Sequence, residues 1–164
     1  MSVETIAPPI PNGTNHFGIT VEDLERSLGF YRDLLGLEVV ASWVRDEPYI
    51  EKLVGYPGVA LDAAILKLPA TDVLLEIIEY RNVERTPVDP ATANPGVAHL
   101  CLFVPDLEPF YEKLTAAGIR SVSAPVEPTI GPNKGGRAVY MIDPDGIRVE
   151  LVQTTRLLTG EKRG

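Results

Sequence analysis

The sequence predicts an α+β fold built from two tandem strand–helix–strand–strand–strand units. Two repeats carry this reading. Asn15–Glu25 (NHFGITVEDLE) recurs as Ala98–Glu108 (AHLCLFVPDLE), with His16 over His99, Asp23 over Asp106 and Glu25 over Glu108. Each copy opens with about six residues of strand-like alternation and runs into an acidic residue able to cap a helix. A weaker repeat sets Asp72–Glu79 (DVLLEIIE) over Gly146–Gln153 (GIRVELVQ), so that Glu76 falls on Glu150.

Residues 1–14, with APPIPNG, read as an N-terminal arm. The first unit spans 15–80. Its opening strand is followed by a helix with Leu24, Leu28, Tyr31 and Leu35 on one face, stopped by Gly36. Strands then follow at Val39–Val44, Leu61–Leu68 and through DVLLEIIE. Residues 81–96 carry three prolines and no apolar period, and read as a linker. The second unit, 97–153, repeats the plan: a strand at His99, a helix with Leu107, Phe110, Tyr111 and Leu114 on one face, a stop at Gly118, then strands at Ile119–Val122, Arg137–Ile142 and through GIRVELVQ. DPDG (Asp143–Gly146) has the composition of a tight hairpin turn. Residues 154–164 form a polar tail. Neither unit is large enough to close its own core, so the two are expected to pack as a pair.

Composition narrows the function classes. With 45% hydrophobic residues in 164, the chain is too apolar for disorder. The single cysteine cannot form an intrachain disulfide. No apolar run approaches a membrane span and the N-terminus lacks signal-peptide features, so a soluble cytoplasmic protein without a membrane partner is expected. A net charge of −8 argues against nucleic acid.

Alternate strand residues share a face. His16, Gly18 and Thr20 therefore lie together, as do Leu74, Glu76, Ile78 and Tyr80; His99, Cys101 and Phe103; and Arg148, Glu150 and Val152. If the units curve around a common cleft, two His and two Glu converge there. Such a set fills four positions of an octahedral divalent ion and leaves two neighbouring ones for water or a substrate chelating through two oxygens. The ion acts as a Lewis acid, stabilising the enolate or enediolate formed when a proton is removed next to a carbonyl, with Glu76 or Glu150 as the base. The blander alternative is a pair of histidines satisfied within the core. Against it, the chain's only two histidines occupy equivalent repeat positions. Glu76 stands between two leucines and two isoleucines, a costly place for an unpaired carboxylate. Glu150 could instead pair with Arg148. Thr20, Cys101 and Arg148 share faces with these residues and are candidate substrate contacts. So are Lys134 and Arg137 on the Gly-rich loop, which could hold a phosphate or carboxylate or simply be solvated. Cys101 reads as a core residue ahead of a nucleophile. Glu47 and Glu51 are further candidate bases, and Trp43 and Tyr49 would line the cleft or fill core.

NHFGITVEDLERSLGFYRDLLGLEVV, GVAHLCLFVPDLEPFYEKLTAAGI and YMIDPDGIRVELVQ resemble the vicinal oxygen chelate superfamily, from Asn15 to Gln153. That group includes glyoxalase I, methylmalonyl-CoA epimerase, extradiol dioxygenases and the bleomycin- and fosfomycin-resistance proteins. The resemblance implies two βαβββ modules forming an open U-shaped mixed sheet around a metal-binding cleft, usually in a homodimer. It implies one divalent metal per site (Co, Ni, Zn, Mn or Mg, or Fe in a dioxygenase) on His16, Glu76, His99 and Glu150, and a small-molecule substrate with vicinal oxygens. The wording around His16, His99 and Glu76-Ile77-Ile78-Glu79 is similar to methylmalonyl-CoA epimerase, which implies an acyl-CoA; epimerases often have Gln where this chain has Glu76. Bacterial glyoxalase I shares the His, Glu, His, Glu set, but Thr20 and Tyr80 stand where it has a glutathione-binding Arg and an Asn. Extradiol dioxygenases resemble a site with three open positions, one of which a ligand at Glu76 would block. A protein that sequesters a small molecule in the same cleft is the alternative outside enzymes.

Overall fold

The computed structural model describes residues 11–154, so most of the expected arm and tail lies outside the described residues. The first unit runs β1 (His16–Val21), α1 (Leu24–Leu28) continuing into a π-helical turn (Gly29–Leu34), β2 (Glu38–Arg45), α2 (Pro48–Val54), β3 (Ala60–Lys67) and β4 (Leu74–Arg81). The second runs β5 (His99–Phe103), α3 (Leu107–Ala116), β6 (Arg137–Ile142) and β7 (Arg148–Gln153). Each unit forms its own open mixed sheet, in the orders β1-β4-β3-β2 and β5-β7-β6. In both, the first strand lies parallel to the last. Among the described residues no helix is long and apolar enough to cross a membrane.

The repeat is structural. Asp23 caps α1 by accepting the Arg26 N–H at 2.7 Å, and Asp106 caps α3 by accepting the Glu108 N–H at 3.3 Å. Both helices are followed by a left-handed glycine, Gly36 at φ +80° and Gly118 at φ +82°.

Three features depart from the expected plan. The first helix widens to an i→i+5 pattern, with the Leu35 N–H on the Phe30 carbonyl at 2.9 Å. This buries Phe30 and Tyr31 together, edge to face at 4.9 Å, where a regular face offered only Tyr31. The β2–β3 connection contains α2, opened by Pro48 and closed by Gly55. Its Ile50 joins Val59 and Leu61 in a small second core flanked by Trp43, Ile78 and Tyr80. Finally, the strand expected at Ile119–Val122 is reduced to a single bridge, Ser121 to Met141, with a second, Val126 to Ala138, beyond its expected end. Pro125 and Pro128 lack the N–H a longer ladder needs, so the second sheet has three strands.

The two units share one core. Ala64, Leu66, Leu75 and Ile77 of the first sheet pack with Leu24, Leu28, Phe30 and Tyr31, and in the same cluster lie Leu107, Leu114, Val139, Met141, Val149 and Leu151 of the second unit. Polar contacts lock this seam. The Tyr31 hydroxyl donates to buried Asp143 at 2.9 Å, whose other oxygen accepts the N–H groups of Asp145 and Ile147 at 2.9 and 2.7 Å. Asp145 accepts the Arg26 guanidinium at 2.6 Å and the Glu22 N–H at 3.2 Å. Lys113 donates to the Leu34 carbonyl at 2.6 Å. DPDG is therefore a hairpin turn that also clasps the first helix. The 81–96 segment lies across this seam, with Arg85 donating to the Val21 and Glu22 carbonyls at 3.3 and 2.9 Å.

Candidate metal centre

Two parallel pairings build two similar constellations. Gly18 on β1 lies opposite Glu76 on β4, and Cys101 on β5 lies opposite Glu150 on β7; each histidine stands two residues before its strand's partner position. His16 Nε2 is 3.2 Å from Glu76 Oε2, and His99 Nε2 is 3.5 Å from Glu150 Oε2. The imidazoles are exposed, whereas the carboxylates are only 13% and 21% exposed.

These separations suit a shared cation. Two ligands at bonds of roughly 2.0–2.2 Å lie about 2.8–3.6 Å apart at octahedral or tetrahedral angles. In the first pair, His16 Nδ1 is 2.8 Å from Asn15 Oδ1. An amide oxygen can only accept, so Nδ1 carries the hydrogen there and a neutral ring turns its Nε2 lone pair toward the Glu76 carboxylate. Two acceptors facing each other at that distance call for a proton or a metal ion between them.

Within one chain the two pairs do not meet. Among the described residues no three or more His, Cys, Asp or Glu side chains are grouped to hold a metal. The expected convergence of four ligands in one cleft is therefore not met by a single chain, and the shared core explains why. Leu75, Ile77, Val149 and Leu151 point into it, so strand alternation puts the intervening Glu76 and Glu150 on the faces of their sheets turned away from it. Each pair sits beside the outermost strand of its sheet, β1 or β5.

The other candidates fall into two groups. Arg148 shares Glu150's face but forms no ion pair with it among the described residues, and its Nε is buried without a hydrogen-bond partner. Cys101 is exposed on β5 and not the core residue expected. It stands against Glu150, and desolvation of the sulfur, reinforced by the Glu150 charge and hydrogen bond, pushes its thiol up to about 12, which makes it a donor and not a nucleophile. Thr20 opens onto a cavity of about 400 Å³ lined also by Val21, Arg85, Val88, Pro90 and Ile147. Arg137, in contrast, points to the helix side with Val139 and Met141 and is paired with Glu108 of α3, so it is not at the site. Lys134 stands exposed on its loop. The glycines there have a structural reason, because a Cβ on Gly136 would lie 2.2 Å from the Gln153 carbonyl oxygen. Glu51 accepts the Gly58 N–H at 3.0 Å and the exposed Glu47 lies 3.6 Å from Arg45, and neither contacts the two His–Glu pairs among the hydrogen bonds and ion pairs of the described residues. Trp43 is half-buried against the second core beneath the Arg45 guanidinium, and Tyr49 is exposed on α2.

Sequence reasoning missed Tyr140. Its hydroxyl donates to Glu150 Oε2 at 3.2 Å and lies 3.4 Å from His99 Nε2, and its ring meets the imidazole edge to face at 5.5 Å. Burial and the Glu150 charge raise its hydroxyl pKa above the usual tyrosine value. Counting back through the DPDG hairpin places Tyr140 opposite Glu150, a signal that was available.

Fold and site together define a two-module α+β protein that presents a His–Glu pair beside the edge strand of each module. Residues 13–151 match the Glyoxalase/Bleomycin resistance protein/Dioxygenase superfamily, and the chain belongs to that family. Among its relatives, a 2-epi-5-epi-valiolone epimerase from an Actinomyces species is 31% identical over 143 residues, 84% of this chain and 77% of that protein. A probable lactoylglutathione lyase from Synechocystis is 28% identical, over 85% of this chain and 94% of its own. The crystal structure of a glyoxalase family protein from Bacillus cereus shares the fold with a TM-score of 0.78 at 18% identity, covering 92% of this chain and 99% of that one. Relatives named as an epimerase and as lactoylglutathione lyases support an activity of isomerase or lyase type.

Proposed function

We propose that the chain is a divalent-metal-dependent isomerase or lyase, epimerase-like in type, which moves a proton next to a carbonyl of a small molecule. Its site is assembled from His16 and Glu76 of one copy and His99 and Glu150 of a second. One observation carries this reading: each module presents half of a four-donor set, at suitable spacing, on an outward face beside a free strand edge. A two-fold dimer that sets β1 of one copy near β5 of the other would unite complementary halves twice. Phe17, large, apolar and 38% exposed on β1, suits such an edge.

These four groups would hold a divalent ion, which when bound would supply Lewis acidity toward a carbonyl oxygen. The protein supplies the proton carrier. One of Glu76 and Glu150 would accept the proton from one face and the other would deliver a proton to the opposite face, which inverts the centre. The cavity at Thr20 would receive the part of the substrate remote from the reacting carbon. Relatives and the resemblance nominate three compounds for assay: 2-epi-5-epi-valiolone, lactoylglutathione and methylmalonyl-CoA.

In deuterated water, metal-loaded protein is expected to place deuterium on the carbon next to the carbonyl of at least one of them, with exchange abolished by a chelator and restored by Co, Ni, Zn or Mn. Tight binding without exchange would support sequestration instead. Oxygen uptake with Fe(II) and a catechol would support dioxygenase chemistry.

A further inference from the structure

Glu76 and Glu150 hold equivalent places in the repeat, yet their neighbours differ in kind. Opposite Glu76 lie Gly18 and Ile65; opposite Glu150 lie Cys101 and Tyr140. Tyr140 Oη, Glu150 Oε2 and His99 Nε2 form a near-equilateral triangle with sides of 3.2, 3.4 and 3.5 Å. Neither glycine nor isoleucine carries a side-chain donor, and although Tyr80 lies near enough to feel the Glu76 charge, no tyrosine hydroxyl bonds Glu76 among the described residues.

We propose that Tyr140 is a positioning residue of the second pair, its hydroxyl fixing the Glu150 carboxylate relative to His99 so that the two carboxylates of the assembled site are unequal. This rests on the metal-site reading above. A carboxylate oxygen has more than one lone-pair direction, so Glu150 can keep the phenol donor while offering another direction to a cation. The phenol has a single hydrogen and directs it to Glu150, so the 3.4 Å approach to His99 Nε2 leaves a neutral imidazole's lone pair open to a cation. Hydrogen-bond partners of ligating groups typically contribute about 10–100-fold in metal affinity. The edge-to-face contact with His99 belongs to the ring alone, so phenylalanine would preserve it and remove only the hydroxyl.

The test is Co(II) titration of the full-length protein, followed by calorimetry and by the visible absorption of the bound ion, whose intensity and shape report coordination geometry. Tyr140→Phe is expected to weaken Co(II) binding about 10-fold and to alter that spectrum, while its metal-free thermal unfolding matches wild type. Tyr49→Phe, on the exposed side of α2, is the control and should change neither. Tyr140→Leu removes ring and hydroxyl together. If Tyr140→Phe matches wild type in affinity and spectrum, the proposal is overturned and the metal-site reading stands. A shift confined to Tyr140→Leu also overturns it, because the ring and not the hydroxyl would then be acting. Failure of wild type itself to bind stoichiometric Co(II) overturns both.

Discussion

His16→Ala and His99→Ala are each expected to abolish stoichiometric binding of a divalent metal, with a loss larger than the roughly 10–100-fold that removal of an outer hydrogen-bond partner costs. Each substitution deletes a neutral nitrogen donor and leaves the facing carboxylate at the site without it. The fold should scarcely notice. Both imidazoles are exposed and neither belongs to the hydrophobic clusters, so unfolding of the metal-free variants should stay within about 0.5 kcal/mol of wild type. Calorimetric metal titration beside denaturant unfolding separates this from the alternative of structural histidines. In that alternative the variants would lose stability and keep whatever metal affinity the protein has.

The second large effect is on stability and falls at the seam between modules. Asp143→Ala is expected to cost about 2–4 kcal/mol, because it strips the acceptor from the buried Tyr31 hydroxyl and from two turn N–H groups at once. Tyr31→Phe removes one of those three bonds and should cost less, about 1.5–3 kcal/mol. The pH dependence has a definite sign. Burial raises the Asp143 carboxyl above its ordinary value despite the opposing hydrogen bonds. Its contribution to stability is therefore fully present below the unfolded carboxylate pKa and is lost as pH rises through the folded one. Urea unfolding across that acidic window should show this component in wild type and not in Asp143→Asn. A component of opposite sign would mean that the hydrogen bonds outweigh desolvation.

Much of this architecture was legible because it depends on local rules. The caps at Asp23 and Asp106, the glycine stops and the DPDG turn are short-range signals, and the structure has them all. Strand alternation and the repeat put each His and each Glu in an equivalent place in its unit. Which Glu meets which His depends instead on β1 lying parallel to β4 and β5 to β7, which alternation does not fix. Other features required tertiary information. Whether Arg148 would pair with Glu150 turned on side-chain placement, which alternation does not fix. How the modules pack was not legible either, because the same outward-facing pairs could be joined within a chain or between chains. The sequence of α2 is too short for periodicity to distinguish from a loop. Tyr140 and Arg137 were different, since alternation along β6 already places one on the face of Glu150 and the other toward the helices.

Mixed dimers test the shared site most directly. A chain lacking the first pair (His16→Ala with Glu76→Ala) and a chain lacking the second (His99→Ala with Glu150→Ala) should each bind no stoichiometric metal alone. If the site is built across two copies, a purified mixed dimer contains one site with all four donors and another with none, and it is expected to bind a single metal ion per dimer and to recover proton exchange. No metal and no exchange in the mixed dimer would contradict a site shared between copies.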